Sequence, residues 1–197
     1  MSNRPHQEVS EDERRYEHGA DPKVMDIIDI PLVRHQPETY QNENWLLDPD
    51  HYWEFAGRFD WNDLQAVSEN PSKLWINGTS SGAGKNDRVA LEDAQRLNNS
   101  LYLLSLRGME LKVFAPGAAF RNLKRRVQGR FMHRNVEYAL WVTDPLIERD
   151  YLARENGFYR IGECFATISL GEPHEGFSYK LIAAIITRDS MEASEDA

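Results

Sequence analysis

Between Leu111 and Val136 the chain carries seven Lys/Arg residues (Lys112, Arg121, Lys124, Arg125, Arg126, Arg130, Arg134) and His133, without one Asp or Glu. The formal net charge of the whole chain is −9, so everything outside that window sums to −16. A basic stretch kept free of acids in so acidic a chain is an electrostatic footprint that suits a polyanion. The competing explanation is a solvated strand pair whose arginines answer acids elsewhere on the surface. Phe120, Phe131, Tyr138 and Trp141 lie in or beside the window. Strand alternation puts Val136, Tyr138, Leu140 and Val142 on one face and leaves Trp141 on the other. The same alternation turns Cys164, Ala166, Ile168 and Leu170 inward and Phe165 outward. Exposed rings beside arginines are what a single-strand stacking platform requires, each base stack being worth ~1–3 kcal/mol. Lys124, Arg125, Arg126, Arg130 and Arg134 are therefore the candidate phosphate contacts, and Trp141 or Phe165 the candidate stacking ring. The alternative role for either ring is to pack under the N-terminal region.

Other constellations carry less. Gly78-Thr-Ser-Ser-Gly-Ala-Gly-Lys85 invites a phosphate-loop reading, but Thr79 stands at the first glycine position and Asn86 where a metal-binding hydroxyl belongs. Asp144, after Leu140-Trp-Val-Thr, imitates a metal-holding strand end, yet Pro145 follows it and marks a helix cap. A mobile Gly/Ser loop is the plainer expectation for residues 78–85. The six histidines (6, 18, 35, 51, 133, 174) show no metal-ligand spacing. Glu172 and Glu175 flank Pro173-His174 in what reads as a turn. No serine sits in a nucleophile elbow. Asn77-Gly-Thr and Asn98-Asn-Ser match the glycosylation acceptor pattern, which matters only after secretion. The single cysteine, Cys164, excludes an intramolecular disulfide and reads as a buried thiol. No cofactor, metal or catalytic set is implied, and the expectation is a non-enzymatic binding protein.

A chain of 197 residues with 41% apolar content can bury a real core. The acidic balance argues against non-specific coating of DNA, since the global field repels phosphate. The longest purely apolar run, Leu181 to Ile186, is too short to cross a bilayer, and no signal core opens the chain. A soluble cytoplasmic protein without membrane contact is expected.

The elements that must hold the window follow from patterning. Residues 1–24 hold six acids, four bases and few apolar residues and read as a flexible charged arm. Met25–Val33 reads as an edge strand because Pro31 excludes a helix interior. Asp48-Pro49 and Asp60-Trp61 predict short helices over about 49–56 and 61–68, since each pair places a capping acid before a first turn. Trp45, Trp53, Trp61 and Trp75 suggest a small aromatic core. From Leu101 the pattern is β. Leu101–Leu106 and Met109–Phe114 would join in a hairpin at Arg107-Gly108, and about Leu123–His133 and Val136–Thr143 in another at Arg134-Asn135. Asp144-Pro145 opens a helix to about Ala153, closed by Asn156-Gly157. Strands over Phe158–Leu170 and Phe177–Thr187 end the ordered chain, and residues 189–197 form an acidic tail. A helix between the third and fourth strands of a small Greek-key barrel is the order of an OB fold.

Several stretches resemble the prokaryotic dual OB-containing domain: Met25-Asp-Ile-Ile-Asp-Ile-Pro-Leu-Val, Gln41-Asn-Glu-Asn-Trp-Leu-Leu-Asp48 and Lys73-Leu-Trp75. So do Val142-Thr-Asp-Pro145 and the closing Ile168-Ser-Leu-Gly-Glu-Pro173 with Gly176 and Tyr179–Ile186. The resemblance covers about Glu8 to Thr187 and implies two consecutive OB-like barrels and a nucleic-acid-linked role. Family members begin with strands that precede the segment like Glu8–Tyr16, where this chain starts almost at once. The first barrel is then incomplete, or completed by another chain, or the natural start lies upstream. The expected organisation is a mainly β chain with minor α. It comprises an arm (1–24), a partial first OB-like region with short helices (25–100), a second OB-like barrel (101–188) and the tail. The expected partner is nucleic acid, single-stranded rather than duplex. The alternative is a protein-interaction module that pairs through acidic arms and an open barrel edge, self-association included.

Overall fold

The structure, a computed structural model, describes residues 1–5 and 7–195, so His6 and, of the expected acidic tail, Asp196 and Ala197 lie outside the described residues. The first elements are β1 (Asp26–Asp29), β2 (Leu32–His35), β3 (Trp45–Leu47), β4 (Glu54–Arg58), α1 (Trp61–Val67), β5 (Arg88–Ala90) and α2 (Leu91–Ala94). Then come β6 (Leu101–Leu106), β7 (Met109–Phe114), β8 (Arg126–His133), β9 (Val136–Val142) and α3 (Pro145–Leu152). The chain closes with β10 (Gly157–Ile161), β11 (Cys164–His174), β12 (Phe177–Ile186) and α4 (Arg188–Glu195). Strand dominates, as the alternation from Leu101 onward requires.

β6 and β7 are not the hairpin that Arg107-Gly108 suggested. β6 pairs antiparallel with β11 (Leu106 opposite Cys164), while β7 pairs antiparallel with β8 (Glu110 opposite Arg130, Phe114 opposite Arg126). One strand bent at Arg107-Gly108 therefore lends its halves to opposite sides of the sheet. The path β7-β8-β9-β12-β11-β6 thereby closes on itself. β9 and β12 run parallel, with Leu181 opposite Trp141. A three-strand meander, a helix, and a hairpin whose last strand runs parallel to the third make a Greek-key barrel of the OB type. The expected strand over Phe158–Leu170 is split at Gly162-Glu163. Its first part, β10, adds to the free edge of β7 (Ile161 opposite Met109), and its second, β11, belongs to the barrel wall. Arg134 and Asn135 have φ of 50° and 63°, as a two-residue hairpin turn between β8 and β9 demands.

The inward faces carry Leu104, Leu111, Val127, Leu140, Ile168 and Ile182, all fully buried. Gly129 faces the same interior, where an added Cβ would stand 2.3 Å from Ile182 Cδ1. Leu74, Trp75, Val89 and Ala94 join this core, and β5 pairs with β12. The boundary expected near residue 100 therefore does not separate two cores. Residues from Leu74 onward belong to the barrel because Leu74 and Trp75 fill space that the strands leave open.

The N-terminal part holds two small antiparallel ribbons, β1–β4 and β2–β3. Pro31 breaks the expected Met25–Val33 strand into β1 and β2. The helix expected over 49–56 is absent. Asp48 accepts the Asp50 N–H across a turn instead, and residues 54–58 pair with β1 as β4. α1 forms as its cap predicts, the Asp60 carboxylate accepting from the Asn62 and Asp63 N–H groups. The arm over 1–24, expected to be flexible, has little regular structure but docks through Tyr16, whose hydroxyl donates to Asp26 Oδ2 at 2.8 Å. Burial, together with Asp26, pushes that hydroxyl up to about 12. Residues 189–195 of the expected tail belong to α4, opened by a reciprocal pair in which the Ser190 hydroxyl accepts from Thr187 N and the Thr187 hydroxyl from Ser190 N. No helix among the described residues is long and apolar enough to cross a membrane.

Candidate nucleic-acid interface

The outer face of β10-β7-β8-β9 is built by alternation against the apolar interior. Cross-strand register sets Phe158, Lys112, Gln128 and Trp141 in one row and Arg160, Glu110, Arg130 and Ala139 in the next. Phe114 and Arg126 form a third row. Phe114 and Trp141 stack at 5.8 Å between centroids with planes 24° apart. The Arg126 guanidinium lies 4.2 Å from the Trp141 ring centroid, and Lys112 Nζ lies 4.1 Å from Phe114 and 5.3 Å from Phe158. Cations held over ring faces within about 6 Å are attracted by the ring quadrupole, which fixes rings and charges in one surface. Partial burial lowers the Arg126 pKa from its ordinary value, with Glu148 opposing the shift. Such a guanidinium remains charged at neutral pH.

Two loops flank this face. The β7–β8 connection presents Phe120 at 88% and Leu123 at 74% exposure beside Arg121 and Lys124. On the other side, the β11–β12 turn and the Gly/Ser loop enclose a depression of about 440 Å3 against Arg126, Trp141, His174 and Tyr179. The Gly/Ser loop is pinned rather than mobile. Its Ser81 N–H and hydroxyl donate to the Asp87 carboxylate at 2.7 and 2.5 Å, and Lys85 bridges Ala139 on β9. The donors that a phosphate loop would offer an anion are thus turned inward: those of Ser81 go to an internal carboxylate only 1% exposed, the Gly84 N–H to the Ser81 hydroxyl and the Lys85 N–H to Ala139 O. Gln128 Nε2 donates to Ala83 O at 2.7 Å and ties the loop to the face.

The residues singled out from sequence do not all reach this surface. Arg126, Arg130 and Trp141 do. Lys124 stands exposed in the flanking loop, and Arg134 at the hairpin turn, where it donates to Asn70 Oδ1 at 2.9 Å and to Asn70 O. Arg130 is paired with Glu137 at 2.9 Å. Arg125 is diverted: its guanidinium donates to Asn156 Oδ1 at 2.8 Å, to Leu152 O at 3.0 Å and to Arg154 O. It satisfies carbonyls that the end of α3 leaves open. Phe165 is not a stacking ring. It is 1% exposed and packs edge-on against Trp61 at 4.8 Å, within a second core of Met25, Trp61 and Leu64. Outward on a barrel strand meant covered by α1, because that is where the N-terminal part docks. Lys112, Phe114, Phe158 and Arg160 were missed. Lys112 lay inside the basic window, while Phe158 and Arg160 owe their position to the pairing of β10 with β7, which sequence spacing does not encode.

One buried charge lies apart from this face. Lys180 is fully buried, donating to Ile76 O at 2.7 Å and Asn77 Oδ1 at 3.1 Å, and burial lowers its pKa to about 7. Cys164 is buried, which pushes its thiol up to about 11 and makes it unreactive. Among the described residues no three His, Cys, Asp or Glu side chains converge as a metal site. Asp144 caps α3 and accepts from Ile185 N, so its carboxylate is used in structure.

No curated protein and no solved structure matches the chain. A family model, that of the dual OB-containing domain, matches residues 1–185. That span takes in the ribbons, the loop that plugs the barrel and the closed barrel itself, and the chain belongs to the dual OB-containing domain family.

Proposed function

We propose that the protein is a non-enzymatic OB-type module that binds single-stranded nucleic acid across the outer face of β7, β8 and β9, in the cytoplasm. The observation that carries this reading is the surface of Lys112, Phe114, Arg126, Trp141 and Phe158 between two flanking loops. Arg126, Arg130, Arg160, Lys112 and Lys124 would meet phosphates, with Arg134 at the rim. Phe158, at 56% exposure, offers the most open ring on the face; Lys112 links it to Phe114, which stacks on Trp141. Rings with charges beside them favour a strand with unpaired bases, since every base has a face to stack and a duplex hides it. Fluorescence anisotropy with short DNA and RNA oligomers at two salt concentrations tests the reading. Binding should weaken with salt by roughly 0.7 log units per log unit for each phosphate contacted. Trp141→Ala with Phe158→Ala should weaken it at least tenfold, taking ~1–3 kcal/mol per stacked base. Absence of binding at low salt, or affinity indifferent to salt, would sink it.

A second reading, a protein-interaction module, is favoured by a separate observation. Val33, Trp45, Tyr52 and Phe55 are each exposed by 44% or more on or beside the two-stranded ribbons. The barrel wall itself is closed, so the open edges that could recruit a partner are those of β1–β4 and β2–β3 and the outer edge of β10. A pull-down in nuclease-treated extract separates the readings. A partner that survives nuclease and is lost with Val33→Ser/Phe55→Ser supports this one.

A further inference from the structure

The basic character of the outer face does not end at the rings. Where β6 bends into β7, close to the β8–β9 turn, lies a depression of about 740 Å3. Arg107, Arg130, Arg134 and Arg160 line it, with Glu110 as its one carboxylate. Chain architecture brings these four together from four places: the strand bend, mid-β8, the hairpin turn and the edge strand β10. Gly108 stands tight against the end of β10. An added Cβ there would stand 3.3 Å from Ile161 O, so the bend lets the end of β10 come close and sets Arg160 near Arg107.

The four guanidinium groups are unequally committed. Arg130 gives Nη2 to Glu137, and Arg134 gives Nε and Nη2 to Asn70. Arg107 and Arg160 are exposed and make no ion pair or side-chain hydrogen bond within the described residues. Glu110 lies directly opposite both Arg130 and Arg160 in register yet closes no salt bridge with either. The depression thus holds more positive charge than its single carboxylate answers. Its donors are the planar forks that suit phosphate oxygens in pairs.

We infer that this arginine-lined depression takes a terminal phosphomonoester, so that the protein recognises a phosphorylated end of the single strand. The inference rests on the single-strand reading above and deepens it. Charge and position both favour an end over an internal linkage. A phosphodiester in mid-strand carries one negative charge and two free oxygens. A phosphomonoester carries −1.5 to −2 at neutral pH and three acceptor oxygens, which matches a site with several uncommitted donors. The depression also lies where the platform stops: β8 ends at His133, and the turn at Arg134-Asn135 closes the strand pair. A strand laid along β7, from the row of Phe114 and Arg126 past Lys112 to Glu110, ends there.

Anisotropy with one oligomer carrying a 5′-phosphate, a 3′-phosphate or hydroxyl groups at both ends tests the inference, with inorganic phosphate as competitor. One phosphorylated form should bind about tenfold tighter than the hydroxyl form, as for one added charge-assisted cluster. Arg107→Glu/Arg160→Glu should erase that preference, whereas Glu110→Gln should widen it. Equal binding of all three oligomers, still weakened by Trp141→Ala, would overturn the end-recognition while leaving the platform intact. Loss of binding by every oligomer would instead remove the platform and the inference together. Displacement by inorganic phosphate at the concentration that saturates the phosphorylated oligomer would assign the site to a free anion and overturn recognition of a strand end.

Discussion

Residues 1–70 and residues 101–187 differ in charge and in what they bury. The first stretch holds sixteen acids and six bases, the second nine acids and twelve bases. The second closes a barrel in which each strand has an apolar face turned inward, and those faces build one continuous core. The first makes two ribbons of two strands each. A two-stranded ribbon has no interior of its own, so it gains stability only by lying on something larger. Its anchors are a small apolar cluster, Met25, Trp61 and Leu64 against Phe165, and a set of hydrogen bonds: Tyr40 donates to Gly171 O at 2.6 Å, Glu43 accepts from the Ser100 N–H and hydroxyl, and Glu69 accepts from the Leu103 N–H. One region folds by closure and the other by attachment. Segregating the charge leaves residues 101–187 with a net positive balance in a chain that is acidic as a whole.

That difference can be broken from the barrel side first. Leu140→Ala or Ile168→Ala, each fully buried, should cost about 2–5 kcal/mol and lower the midpoint of a single chemical denaturation transition. Phe165→Ala acts on the attachment. It should cost about 3 kcal/mol or somewhat more, because it opens a cavity beneath α1. Limited proteolysis should then cut within residues 1–70 while the barrel fragment persists. Simultaneous loss of both parts would contradict folding by attachment.

The buried Lys180 sharpens the same contrast through pH, since it ties the plugging segment at Ile76 and Asn77 to the barrel. Its folded pKa of about 7 lies below the ordinary 10.5, so the unfolded chain binds more protons between these values and stability rises with pH across them. The raised Cys164 and Tyr16 values act the opposite way only above pH 9, because there the folded state keeps protons that the unfolded chain loses. Between pH 7 and 9 the stability should therefore rise by up to roughly 2 kcal/mol. Lys180→Met should flatten that slope, as read from melting temperature against pH. A slope unchanged in the variant would show that another group titrates.

How much of this the sequence disclosed follows the locality of each signal. The caps at Asp60 and Asp144, the Arg134-Asn135 turn and the alternation of β7, β8 and β9 are local, and residue order alone displays them. The bend at Arg107-Gly108 resembled a hairpin because two apolar strands flank a glycine in both cases. Only the pairing of β6 with β11 distinguishes them, and that partner lies some sixty residues away. Phe165 failed for a related reason: alternation says which face a side chain takes, but not whether another element covers that face. The basic window was visible as composition. Its division into Arg125 at a helix end, Arg130 beside Glu137 and Arg126 over Trp141 needed the third dimension.

Arg125 then supplies a moderate effect with a clear sign. Replacing it with Ala leaves the carbonyls of Leu152 and Arg154 without this donor and should cost about 1–2 kcal/mol, the scale of hydrogen bonds from a charged group. Oligonucleotide affinity at saturating fold should hardly change, which would separate this arginine from Arg126 although the two are adjacent in sequence.

The smallest effect on stability belongs to the ribbons. Val33 and Phe55 are 57% and 55% exposed, so Val33→Ser with Phe55→Ser removes little buried surface and should change stability by less than about 1 kcal/mol. Their consequence lies in association. Exposed apolar side chains beside unpaired strand edges favour pairing with another chain, and the two substitutions lower that tendency without touching the barrel. Sedimentation over a concentration series should show less self-association in the variant, with oligonucleotide binding retained. If oligonucleotide binding falls instead, the ribbons contribute to the interface and the division of labour between attached and closed parts is wrong.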